Sequence, residues 1–166
     1  MKDKLLSKQG WVILLICIIS FFINNRVVVP DIMEARNMVT AREMVHDGNW
    51  LVPTMNGDLR LEKPPLPTWL TAVAEMISPD NLALQRAMAG FAAILLVAFF
   101  YLTAVQVMRN KRYAFISTIL LCTCYNIILM GRTASWDIYC HAFMMGAIYF
   151  LIRAFAAKAC SWKDFT

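Results

Sequence analysis

Four charged residues beside long apolar segments have side chains suited to a phosphorylated substrate. Glu34 can accept a proton from a hydroxyl, as a carboxylate in a partly dry site does when its pKa is raised. Arg36, Lys63 and Arg132 can hold phosphate oxygens, a guanidinium as a bidentate fork and an ammonium as a compact charge. A charge near the membrane core costs about 2.5 to 3.5 kcal/mol on insertion scales, so acids and bases at the mouth of a bundle have partners or face a polar cavity. Together the four suit a lipid-phosphate sugar donor, whose headgroup lies at the depth of these residues.

Each also has a plainer reading. Glu34 and Arg36 fit the solvated edge of an interfacial helix, and Glu62 and Lys63 can neutralise one another or cap a turn. Asp137 and His141 share a helical face. That spacing can bind metal, but two ligands do not make a site, and a single Asp–His hydrogen bond is the simpler outcome. Trp50, Trp69 and Trp136 mark a headgroup belt more often than they stack on sugars. Pattern by itself reaches an outward-facing polar site.

The elements that must position these residues follow from hydropathy. The chain has 166 residues, 60% hydrophobic and 16% charged, whereas charged residues make up about a quarter of an average soluble domain. It reads as an all-α membrane protein. Crossing the hydrocarbon layer takes about 20 mostly apolar residues, which predicts four spans at approximately 11–29, 82–108, 113–130 and 138–157. The first is too long for a signal-peptide core and lacks a small-x-small cleavage site before Pro30. Lys2, Lys4 and Lys8, then Arg109, Lys111 and Arg112, then Arg153, Lys158 and Lys163 fall on one side, which the positive-inside rule makes cytoplasmic. The N-terminus is then cytoplasmic, and segments 30–81 and 131–137 face outward. The net charge of +5 is a topology signal, and nothing points to nucleic acid, because the basic residues flank spans instead of forming a stripe. The five cysteines read as small apolar fillers, and Cys122-x-Cys124 lacks the spacing of a zinc or redox motif.

Within the outward loop, Ile32 to Asp47 predicts a helix. Ala35, Met38, Val39 and Val45 make an apolar face opposite Arg36, Thr40, Glu43 and Asp47, with Gly48 as the stop. Such a helix would lie along the interface with its apolar stripe in the headgroup boundary. Asn56-Gly57 predicts a tight turn between short extended runs, and Pro64 to Pro67 a stiff extended arm that holds Lys63. A second short amphipathic helix is expected over Thr68 to Ile77.

The order of these pieces carries a resemblance. An acidic-x-Arg element opens the first loop helix, followed by Ala41-Arg42-Glu43-Met44, Asp47-Gly48-Asn49-Trp50, Pro53, Asn56-Gly57 and Glu62-Lys63-Pro64-Pro65-Leu66-Pro67-x-Trp69-Leu70. The arrangement resembles the bacterial 4-amino-4-deoxy-L-arabinose transferase and protein O-mannosyltransferase-like family of GT-C glycosyltransferases, in the N-terminal portion. Arg86, and the stretch from Arg132 to Asp137, also fall where that family tends to carry an Arg and an Asp. The resemblance implies transfer of a sugar from a polyprenyl-phosphate carrier to a lipid, glycan or protein acceptor at the outer face of the cytoplasmic (inner) membrane, with inversion at the anomeric carbon. By the same carry-over, Lys63 binds the carrier phosphate and Arg36, Arg132 and Asp137 line the site. Glu62 matches a position that helps hold a divalent metal in some members, and no other cofactor is indicated. The family's first loop opens with an Asp-Glu pair. Aligning on Trp50 puts Met33 at the Asp, Glu34 at the Glu and Arg36 at the following Arg. Either Glu34 takes the acidic role, or Asp31 reaches the site from a shifted register, or the copy is inactive; Glu34 keeps its register with Arg36 and is preferred. Family members run to several hundred residues, so the resemblance implies a fragment of a longer enzyme, inactive alone. The competing reading is a small four-span bundle that binds a lipid or protein partner without chemistry.

Overall fold

The computed structural model describes residues 8–156; Lys2, Lys4, Lys158 and Lys163 lie outside them. In chain order it contains α1 (Lys8–Phe22), α2 (Ile32–Asp47), β1 (Thr54–Met55), β2 (Asp58–Leu59), α3 (Pro65–Ile77), α4 (Leu82–Met108), α5 (Lys111–Cys122), α6 (Tyr125–Met130) and α7 (Asp137–Ala156).

Two of these helices, α4 with 27 residues and α7 with 20, are long and apolar enough to cross a membrane, and they coincide with the expected spans 82–108 and 138–157. The other two expected spans come out differently. Helix α1 stops at Phe22 instead of running to residue 29, because Asn24 takes a left-handed φ of 56° and ends it. The expected span 113–130 is broken into α5 and α6. At the break Cys124 adopts an extended backbone (φ −67°, ψ 123°), which takes the chain out of the helix before α6 begins.

Helix α4 is central and packs against α1, α3, α5 and α7. Its buried side is mostly small, with Ala89, Gly90, Ala92 and Ala93, so its neighbours approach closely, as small residues permit between membrane helices. Phe21 of α1 fills the space this leaves and is fully buried. Cys17 and Cys122 meet in the same core with their sulfurs 3.9 Å apart, free thiols in the filler role expected of them.

The loop helix α2 has the expected limits, and Gly48 caps it at φ 73°. Its buried face is a correction. Glu34, Asn37, Thr40, Ala41 and Met44 are buried, while Ala35 of the expected apolar stripe is exposed and Met38, Val39 and Val45 are only half-buried. The polar face wins because α3 and the link before α7 satisfy it. Asn37 Nδ2 donates to Thr71 Oγ1 at 3.0 Å and to the Ala134 carbonyl at 2.7 Å, and Asn37 Oδ1 accepts from Thr68 Oγ1 at 2.7 Å. A buried amide with its bonds made avoids the desolvation penalty that excludes lone polar groups. Asn56 and Gly57 take φ 56° and 82°, the two positive angles of the expected hairpin turn. The Glu43 carboxylate ties that turn to α2, accepting from Thr54 Oγ1 at 2.7 Å and from the Asn56 and Gly57 amides.

Helix α3 starts at Pro65, three residues earlier than expected. Prolines fit there because the first helical N–H groups have no intrahelical partner to lose, so only the chain before Pro65 remains an extended arm.

Gly131 sits where the link meets the core. A Cβ there would lie 2.7 Å from Phe21 Cδ1 and 2.9 Å from Ala93 Cβ. Gly131→Ala is expected to destabilise the fold by about 1–3 kcal/mol through overpacking, read as a lowered thermal midpoint by circular dichroism in detergent.

Candidate functional site

The site is assembled where the loop between α1 and α4 rests on the ends of α1, α4 and α7. Asp31 precedes α2 and its carboxylate accepts the Glu34 N–H at 2.7 Å, an N-cap that orders the first turn. The turn directs Glu34 inward, where it is completely buried. Arg86 Nε lies 2.7 Å from Glu34 Oε1 and Arg86 Nη2 lies 2.7 Å from Oε2, a bidentate pair, and the Ala134 amide donates to Oε1 at 2.9 Å. Arg86 Nη1 donates to the carbonyls of Asn25 and Val28. Both Glu34 oxygens are therefore engaged and enclosed, unlike a carboxylate open to a substrate hydroxyl. In this geometry Glu34 fixes the loop to α4.

The second group gathers around Trp136. Lys63 is exposed, with its ammonium 5.4 Å from the centre of the indole, and the Arg60 guanidinium carbon is 5.1 Å from the same centre, both within cation–π range. Arg60 Nη1 donates to the Arg36 carbonyl at 2.6 Å and to Thr40 Oγ1 at 2.7 Å. Burial lowers the Arg60 pKa, nearby Glu62 raises it and Arg36 lowers it. The Arg36 side chain is exposed and borders a second cleft with Asn56, Asp58, Arg60 and Glu62.

Arg132 lies apart from this group: it donates to the carbonyls of Ser20 and Ile23 and caps the end of α1. Asp137 is exposed at the start of α7, directly after Trp136. His141 Nδ1 meets the Asp137 backbone carbonyl at 2.6 Å, in place of the carboxylate bond that the spacing suggested. Glu62 is exposed, and among the described residues no three His, Cys, Asp or Glu side chains gather as a metal site.

The structure thus places Lys63 over Trp136 and sets Arg36 and Glu62 along one cleft, and adds three residues that sequence reasoning missed as site components: Arg60, Asn37 and Trp136 as a cation platform. Arg60 left a faint trace. It lies between Leu59 and Leu61, which are 69% and 70% exposed, while Arg60 itself is 7% exposed. The alternation of an extended strand is inverted there, with the charge inside.

The family model described as dolichyl-phosphate-mannose-protein mannosyltransferase matches residues 11–166. The chain belongs to this family. Among curated relatives, the undecaprenyl phosphate-alpha-4-amino-4-deoxy-L-arabinose arabinosyl transferase of Pseudomonas savastanoi pv. phaseolicola is 34% identical over 92 residues, covering 55% of this chain and 17% of that protein. The enzyme of the same name from Shewanella sediminis is 31% identical over 108 residues, covering 65% of this chain and 19% of that protein. The chain therefore spans about a fifth of the length of these relatives. In fold it superposes on ArnT from Cupriavidus metallidurans, solved bound to undecaprenyl phosphate, with a TM-score of 0.71 at 20% identity over 88% of this chain and 27% of that one. The helical GT-C membrane architecture implied by the motifs is thereby shown.

Glu34→Leu leaves a buried guanidinium without its counter-charge, which is expected to cost about 3–5 kcal/mol. The yield of monodisperse protein in detergent should collapse, and Glu34→Leu combined with Arg86→Met should recover most of it. A catalytic Glu34 would instead leave folding intact in the single variant.

Proposed function

We propose that this chain is the donor-phosphate-binding part of a membrane glycosyltransferase that takes a sugar from a polyprenyl-phosphate carrier at the outer face of the cytoplasmic membrane, inverting the anomeric carbon. The observation that carries this reading is the exposed Lys63 ammonium held over the buried Trp136 ring beside Arg60, a cationic mouth on the loop side of the apolar bundle. Family membership and relatives named for undecaprenyl-phosphate-linked sugars supply the class of donor.

In the reaction, an acceptor hydroxyl or amine attacks the anomeric carbon from the face opposite the carrier, the glycosidic C–O bond breaks, and its electron pair leaves on the carrier phosphate. Lys63 stabilises that developing charge, and a fixed cation in a partly dry site does so without reorganisation. A carboxylate takes the proton of the nucleophile. With Glu34 enclosed by Arg86, we assign this role to Asp31, which is exposed at the start of α2; Asp137, exposed and directly after Trp136 in the chain, is a second carboxylate near the mouth. Arg36 offers an exposed guanidinium to the headgroup. The N-terminus is cytoplasmic and the segment 30–81 outward.

Undecaprenyl phosphate, added to the purified chain in nanodiscs, should be retained in native mass spectra where undecaprenol is not. Lys63→Ala should weaken retention about tenfold or more, the usual scale for a lost charge-assisted bond. Equal retention of the alcohol and the phosphate overturns the reading. In membranes whose wild-type protein transfers sugar, Asp31→Asn should leave phosphate retention unchanged and slow transfer by about 10²- to 10⁴-fold; wild-type rates would remove Asp31 from the role.

A further inference from the structure

Two buried donors near Lys63 have nothing to bond. Arg60 Nη2 and Trp136 Nε1 are both buried without a hydrogen-bond partner among the described residues, on side chains only 7% and 4% exposed. Leaving a buried donor unsatisfied is costly, and two on adjacent, contacting side chains call for one ligand. Both side chains line a small cleft with Thr40, Pro53, Lys63, Pro65 and Thr68. Two acceptors of its wall are already engaged by other groups of Arg60. The Pro53 carbonyl takes the Arg60 N–H at 2.8 Å, and Thr40 Oγ1 takes Arg60 Nη1. Thr68 Oγ1 donates to Asn37 Oδ1, and its oxygen does not bond either of the two free donors. The two free donors, beside the charges of Arg60 and Lys63, suit an anionic oxygen. The free space takes about one oxygen-sized group, so a single oxygen enters while the rest of its bearer stays outside, beside the exposed Lys63.

We propose that Arg60 Nη2 and Trp136 Nε1 donate to one oxygen of a phosphate monoester, and that Arg60, Trp136 and Lys63 together form an oxyanion-binding cleft. The lipid identity of that ester rests on the glycosyltransferase reading; the cleft itself does not. Arg60 and Lys63 over the indole ring also draw electron density from it, which strengthens the N–H as a donor. The neutral indole and the guanidinium divide the work: the first fixes direction, the second adds charge.

The test uses the indole proton of Trp136. In ¹⁵N-labelled protein in micelles, the Trp136 indole signal is assigned by its loss in Trp136→Phe. Inorganic phosphate, farnesyl phosphate and farnesol are then titrated separately. Both phosphates should move the Trp136 indole proton downfield and farnesol should not. Trp136→Phe and Arg60→Lys should each weaken farnesyl phosphate binding roughly tenfold to a hundredfold. Arg60 also supports the loop through Nη1, so Trp136→Phe is the cleaner variant. If farnesyl phosphate binds both variants as tightly as the wild type and the indole signal stays still, the cleft is overturned while the donor reading stands. Should inorganic phosphate move the signal and farnesyl phosphate fail to bind, the cleft stands and the lipid-donor reading falls. An indole signal that neither phosphate moves overturns the cleft outright, its donors then being bonded to water.

Discussion

Arg86 and Glu34, 52 residues apart in sequence, meet in a bidentate pair from which nearly all water is excluded. Taking both charges out of water is expensive, and the pair is sustained by further hydrogen bonds to both of its members. Arg86 reaches the Asn25 and Val28 carbonyls, and Glu34 also takes the Ala134 amide. Four parts of the chain thus share one electrostatic junction: the segment after α1, the start of α2, the head of α4 and the link before α7. An apolar contact there would tolerate sliding. A bidentate pair does not, because its two parallel bonds fix direction as well as distance.

That junction sets the loop at a defined height and rotation over the bundle, and the polar face of α2 then extends the register. One helical turn on, Asn37 bonds α3 and the Ala134 carbonyl, so adjacent groups of the same residue of the link are held by successive turns of α2. Thr40, the next turn, receives Arg60. Through this row the ion pair places Trp136, two residues after Ala134, against Arg60 and Lys63. The cationic mouth is therefore a consequence of the buried pair, although none of its three side chains touches Glu34.

The loop was legible wherever local chemistry decides conformation. Gly48 and Asn56-Gly57 need positive φ and have it, and the C-terminal limit of α2 follows from its glycine stop. The long apolar helices α4 and α7 were legible from hydropathy alone. The break between α5 and α6 was not, since it lies at Cys124, whose extended backbone no local residue type there demands. Nor was the inward face of α2: a period of 3.6 identifies two faces, and the more apolar one was the natural choice for burial. What reversed it was the presence of partners, which lie 31 to 100 residues away.

Sequence by itself determined that this is a helical membrane chain with a charged loop between its apolar segments, and the Glu-Lys-Pro-Pro block with its flanking motifs determined the family. Those properties are local or additive, depending on hydropathy summed over a span or on short motifs read in order. The jobs of the individual charges were decided only in three dimensions. Glu34, read as the acid facing substrate, is enclosed by Arg86. Arg132, read as a phosphate ligand, caps α1, and Arg60, overlooked between two leucines, lies buried beside Lys63. A charge acts through whatever lies within a few ångströms of it, and for these residues that neighbourhood is built from distant parts of the chain.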